Sequence, residues 1–341
     1  MQAIIKYEYL LSPAFGSDAD MLRLSSELEM LSEHIDIGND APMIEDDTIN
    51  RMIDAGLYPS TGLFQERLSK LPKGFPYCAH DIVHMVNRIV QRGRCASDIA
   101  SSLDVEWKVK SLAPDFINVL AQRAIEMNVL YERIAVSNYL EKADYSTLYH
   151  CSRNINVFQS ISFQGVALDI YPENGYIFPL SIAMDTKIFH SYKKYLSEKN
   201  GELLFFNANE ESIKRAFYVG ALNLESVSGG VLTAKPWRDF DIGTSFYRSL
   251  VECECAPGMN FSTVLFDTVA HILAGTPKSN LEIFTKSKDS DEPRTHGKLI
   301  AYRTHITKGN RALRLMYWQA PSGVIIFANV GNKFDLEISP P

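Results

Sequence analysis

Three side chains near the end of the chain have types and spacing suited to phosphate chemistry: Arg303, His305 and Arg314. Alternate residues of a β-strand share a face. Arg303 and His305 therefore fall on one face of a strand expected over 298–307, together with Ala301 and Thr307. Arg314, Met316 and Trp318 fall on one face of the next, expected over 312–319. If pairing brings these two faces to the same side, two guanidiniums and an imidazole meet. Guanidiniums bind phosphate in a bidentate way. An imidazole between them can act as general acid or base in metal-free phosphodiester cleavage. The ring of Trp318 can stack on an unpaired base. The same window, 297–335, also holds Lys298, Lys308, Arg311 and Lys333 as candidate backbone contacts. Its six bases stand against one acid, Asp335, so the window is +5 in a chain of −7, and everything outside it is −12. The plain alternative is the wet side that an antiparallel sheet has in any case.

The layout of basic side chains on a small antiparallel sheet resembles that of the RelE-type ribonuclease toxins, over about forty of 341 residues. That resemblance implies an RNA-cleaving face carried by Arg303, His305 and Arg314. A second constellation is Cys78-Ala79-His80-Asp81-Ile82-Val83-His84. On a helix, His80 and His84 lie one turn apart, which suits two imidazoles on one divalent metal. Asp81 stands where metalloproteases of this spacing carry Glu, and is one methylene shorter. The His80-Asp81 pair also resembles the metal-binding pair of HD-type phosphohydrolases. Surface or capping histidines are the bland reading. A third is Glu106-Trp107-Lys108: a strand bearing Glu-x-Lys resembles half of a restriction-type nuclease core, with Glu106 on a metal and Lys108 positioning water. The strand that should precede it, ending in a metal-binding Asp, is missing, and the tripeptide is a common one.

These groups need elements to hold them. The terminal residues read as a three-stranded antiparallel β-meander over 298–307, 312–319 and 324–330, with turns at Lys308-Gly309-Asn310-Arg311 and Ala320-Pro321-Ser322-Gly323. At the other end, 3–11 reads as a strand, and Ser17 as the N-cap of a helix with Asp18 and Asp20 in its first turn. Met21, Leu24, Leu28, Leu31 and Ile35 follow at spacings of three and four, a narrow stripe for a partner helix or for the protein's own core. Residues 1–55 carry twelve acids and three bases, and 36–47 reads as an acidic exposed loop. Helices are expected over 47–55, 61–71, 79–92 and 114–140, the last with Pro114 in its first turn, and a strand over 105–112. From 155 the texture becomes α/β. A hairpin or bent strand pair is expected over 157–171 through Gln164-Gly165, a strand over 203–207, and helices over 185–199, 209–222, 244–253 and 262–274, with Gly275 as a stop.

The whole chain bounds the answer. With 46% apolar and 22% charged residues it has a globular composition. No apolar run approaches the roughly 18 residues of a membrane span, and the N-terminus lacks a signal-peptide pattern. Five cysteines without framework spacing read as reduced thiols in a cytoplasmic protein. No phosphate-binding loop, dinucleotide fingerprint or nucleophile elbow is present. The expectation is an α+β protein in two parts: a mainly helical 1–150 with an acidic N-terminal region, and an α/β 151–341 ending in the basic sheet. The functional expectation is a nucleic-acid-binding or nucleic-acid-cleaving component that contacts RNA or DNA through that sheet. The alternatives are a non-catalytic scaffold subunit of a bacterial multi-protein complex, docking through the acidic region, and a metal-dependent hydrolase built on His80, Asp81 and His84. No membrane partner is expected.

Overall fold

The computed structural model describes residues 1–98, 104–116, 120–150, 158–171, 175–287, 290–307, 311–335 and 337–341. The chain has an α+β fold and divides into two compact units, Met1–Tyr195 and Leu196–Pro341. The change of texture near 151 lies within the first unit.

The first unit is built on a seven-stranded sheet: β1 (Gln2–Ile5), β2 (Met43–Ile44), β3 (Arg94–Cys95), β4 (Asp104–Ala113), β5 (Tyr145–Leu148), β6 (Ser160–Tyr171) and β7 (Leu180–Phe189). The order is β3-β2-β1-β5-β7-β6-β4. The first five of these run parallel, and β6 and β4 add on antiparallel. β1 is a short apolar run, with Ala3, Ile4 and Ile5 buried, as expected for a parallel strand covered on both faces. Helix Met21–His34 buries Met21, Leu24, Leu28 and Leu31, and Ile35 just beyond it, against helix Ala79–Arg92, which buries Ile82, Val86 and Ile89. The stripe is therefore core and not a docking surface. Ser17 accepts from the Asp20 N–H, as an N-cap does.

Several local expectations are corrected. Residues 41–45 are buried and include β2, so the acidic segment is an exposed loop only over its first part. The long helix spans Ala121–Leu140, and Pro114 instead follows the end of β4. β6 runs unbroken through Gly165, which pairs with Lys110 of β4 and Ile182 of β7, and the Trp107 ring of β4 lies over that backbone, so that a Cβ on Gly165 would meet the ring at 2.5 Å. Strand β7 occupies the first five residues of the expected helix 185–199, and the helix is confined to Tyr192–Ser197. The apolar run 203–207 belongs to helix Gly201–Phe206, started by the Asn200 side chain accepting from the Leu203 N–H.

The second unit carries a six-stranded sheet of β8 (Phe240–Ile242), β9 (Glu282–Ile283), β10 (Thr295–His296), β11 (Leu299–His305), β12 (Leu313–Gln319) and β13 (Ile325–Asn332). Its order is β10-β11-β12-β13-β8, with β9 also on β11. β11 to β13 pair antiparallel in chain order, and β8 joins β13 in parallel. One face, with Leu315, Tyr317 and Phe327 fully buried, packs on helices Ile213–Val227 and Phe246–Glu252 through Phe217 and Phe246, whose ring centroids lie 6.5 and 6.1 Å from that of Phe327. The other face carries Ala301, Met316 and Trp318 with Phe284 and Ile338. No helix among the described residues is long and apolar enough to cross a membrane.

Candidate anion-binding face

The register of the terminal sheet decides which basic groups meet. His305 pairs directly with Arg314, and Arg303 with Met316. Directly opposed residues share a face, as do residues two apart. Arg303, His305 and Arg314 thus project from the same face of β11 and β12.

Each guanidinium has a different setting. Arg303 also faces Glu282 across the β9 pairing, with Nε 3.6 Å from the Glu282 carboxylate. Its guanidinium carbon lies 5.1 Å from the centre of the buried Phe284 ring, and that of Arg294 lies 4.8 Å from the same ring. Such cation–π contacts hold a guanidinium in place without neutralising it. Arg314 is half-buried and makes no ion pair among the described residues, and its Nε is buried without a hydrogen-bond partner. Burial, and next the positive charge of Arg303, lower the Arg314 pKa, while Glu282 acts in the opposite sense. Glu282 thus pairs with Arg303 and acts on Arg314 only at a distance.

The remaining candidates divide. Lys298 is exposed in the two-residue turn between β10 and β11, and Lys333 is exposed just after β13. Arg311 is committed elsewhere: it pairs with Glu254 at 2.6 Å and sits 5.4 Å from the Phe261 ring centre. Trp318 is 4% exposed, and its indole N–H donates to the Ser339 carbonyl at 2.7 Å. The residues around Ile338 fold back over β12 and cover the ring, so it offers no free face to a base. Lys308 lies outside the described residues.

The other sequence constellations do not assemble a centre. His80 and His84 are both exposed on helix Ala79–Arg92, and the Asp81 carboxylate accepts from the Cys78 N–H at 2.7 Å, capping that helix. Glu106 and Lys108 are exposed on edge strand β4, where the pairing is irregular on either side of Trp107. Among the described residues, no three His, Cys, Asp or Glu side chains converge as metal ligands.

A charge network in the first unit went unforeseen. Lys6 follows β1, Glu45 follows β2, and Arg123 lies in helix Ala121–Leu140. Glu45 accepts from the Tyr7 N–H at 2.7 Å, from Arg123 at 2.8 and 2.9 Å, from Arg51 at 3.0 Å and from Lys6 at 3.4 Å. Arg123 reaches Glu8 with two bonds of 2.7 Å, and Glu126 at 3.3 Å. Burial, which outweighs the pull of Glu45, lowers the Lys6 pKa to about 8. Burial pushes the Glu45 pKa up, but Lys6 and Arg123 together win and hold it at about 2. The partners shift unequally because Glu45 faces three cations, while Lys6 has one close carboxylate and feels repulsion from Arg123 and Arg51. Lys6, Arg51 and Arg123 balance Glu8, Glu45 and Glu126, and Lys6 and Glu45 are closed to solvent. The network ties the strand ends to a helix and leaves no charge over for a ligand. Its members are too far apart in the chain to give a motif; the one signal is a Lys at the end of an apolar strand.

No protein-family model matches the chain, and no curated protein or solved structure matches it.

Proposed function

We propose that the second unit binds nucleic acid through the phosphate-facing pair Arg303 and Arg314. The observation that supports this reading is that both guanidiniums share a sheet face on which Glu282 pairs with Arg303 only, and Arg314 has no ion pair among the described residues. Half-buried guanidiniums placed side by side repel, and an anion between them relieves both the repulsion and the unmet hydrogen-bonding capacity. A phosphate oxygen pair matches the guanidinium fork. Lys298 and Lys333 add exposed positive charge to the same unit. Arg311 and Trp318 take no part in this reading, since one is ion-paired and the other covered. The test is salt-dependent binding of a labelled single-stranded oligonucleotide. Arg314→Ala weakens it; binding indifferent to that change removes this face from the assignment. A cleaving version gives His305 the proton-transfer role, and predicts chelator-insensitive cleavage abolished by His305→Ala with binding retained.

A further inference from the structure

Glu282 is the feature of this face that a plain phosphate site would not carry. It lies on β9, a strand of two residues, directly opposite Arg303, and is half exposed. Its carboxylate is 3.6 Å from the Arg303 Nε, longer than a charge-assisted hydrogen bond of about 2.8 Å, so it lends charge without closing the fork. It also acts electrostatically on Arg314. Phe284, two residues on, is buried beneath Arg303 and anchors the segment that carries Glu282.

Resting on the phosphate-binding reading of this face, we infer that Glu282 tunes the site to the charge of its ligand: within the Arg303–Arg314–Glu282 cluster it lowers the preference for a dianionic phosphomonoester relative to a monoanionic phosphodiester. Two guanidiniums and one carboxylate sum to a single positive charge. An internal nucleic-acid phosphate carries one negative charge and neutralises it. A terminal or free phosphate carries up to two at slightly alkaline pH, and its second charge meets Glu282. The same carboxylate holds Arg303 in place while the site is empty.

The test uses the full chain and two small probes at pH 8: the dinucleotide TpT, with one phosphodiester, and thymidine 5′-monophosphate, a dianion. Binding is followed by NMR titration in wild type, Glu282→Gln, Glu282→Asp and Arg314→Ala. One charge about 4 Å away in a water-like dielectric changes affinity about fivefold. Removing the Glu282 charge should then tighten TpT about fivefold and the monophosphate about 25-fold, moving their ratio about fivefold toward the dianion. Glu282→Asp, which keeps the charge, should leave the ratio where wild type has it. An unchanged ratio in Glu282→Gln, with TpT binding still lost in Arg314→Ala, overturns the inference and leaves the phosphate-binding reading standing. Wild-type binding of both probes that ignores Arg314→Ala, or no binding of either, overturns both.

Discussion

Replacing Glu45 with Gln removes one negative charge and keeps the shape of the side chain. The site is 1% exposed, so water does not make up the loss. Three cations then remain at 2.8–3.4 Å from an amide that brings its own N–H donors toward them. Breaking a buried ion pair from one side costs about 3–5 kcal/mol, because the stranded charges stay buried. For a unit of this size, Met1–Tyr195, each kcal/mol moves Tm by about 2–4 °C, so the expected drop is about 6–20 °C. Urea unfolding followed by far-UV circular dichroism, with calorimetry beside it, measures both quantities. The double variant Lys6→Met, Glu45→Gln should recover more than half of the loss. It leaves Arg51 and Arg123 against Glu8 and Glu126, two charges of each sign, and an apolar chain in the fully buried Lys6 position. A loss under about 1 kcal/mol in the single variant, or no recovery in the double, would refute the reasoning that this network ties the strand ends to the helix.

The other expectations concern pH, packing and the edges of the candidate face. Glu45 has a folded pKa of about 2, below its unfolded value, so its contribution is complete above about pH 4.5 and is lost as pH falls toward 2; Glu45→Gln should flatten that acid limb of the stability–pH curve. Lys6 has a folded pKa of about 8, below its unfolded value. The unfolded chain then holds the extra proton between about pH 8 and 10.5, so this group's contribution rises with pH across that window, and Lys6→Met should remove the rise. Gly165→Ala should cost about 1–3 kcal/mol, read by urea unfolding, because the new methyl overlaps the Trp107 ring; an unchanged midpoint would mean the indole moves freely. Trp318→Ala should lower stability by about 3–5 kcal/mol, and Arg311→Ala should change oligonucleotide affinity by less than about twofold, in melting and anisotropy respectively; a large affinity loss in the Arg311 variant would contradict its assignment to Glu254.

Helix Ala79–Arg92 was legible end to end, because its apolar residues recur at helical spacing, whereas the part of Asp81 in it was not: the sequence suggested a metal site, and the carboxylate caps the helix at the Cys78 N–H. β12 was legible from its alternation, which put Arg314 on one side and Leu313, Leu315 and Tyr317 on the other. Short apolar runs were not: 203–207 reads equally as strand or helix, and Asn200, the residue that caps it, lies outside the run. Gly165 looked like a turn because nothing local announces that Trp107 from another strand needs the space. The shared face of Arg303, His305 and Arg314 followed from alternation once the register was known, since a one-residue slip would have separated them. The covering of Trp318 by the final residues, and the union of Lys6, Glu45 and Arg123 across 39 and 78 positions, are long-range facts with no local trace.

The most direct measurement is fluorescence anisotropy of single-stranded RNA and DNA oligonucleotides with the wild-type chain and the Arg303→Ala, Arg314→Ala double variant, across a salt series. The account predicts wild-type affinity that falls steeply with salt. It also predicts a log–log slope lowered by about 0.7 for each lost guanidinium contact. No wild-type binding at low salt, or a double variant with unchanged affinity and slope, would contradict it.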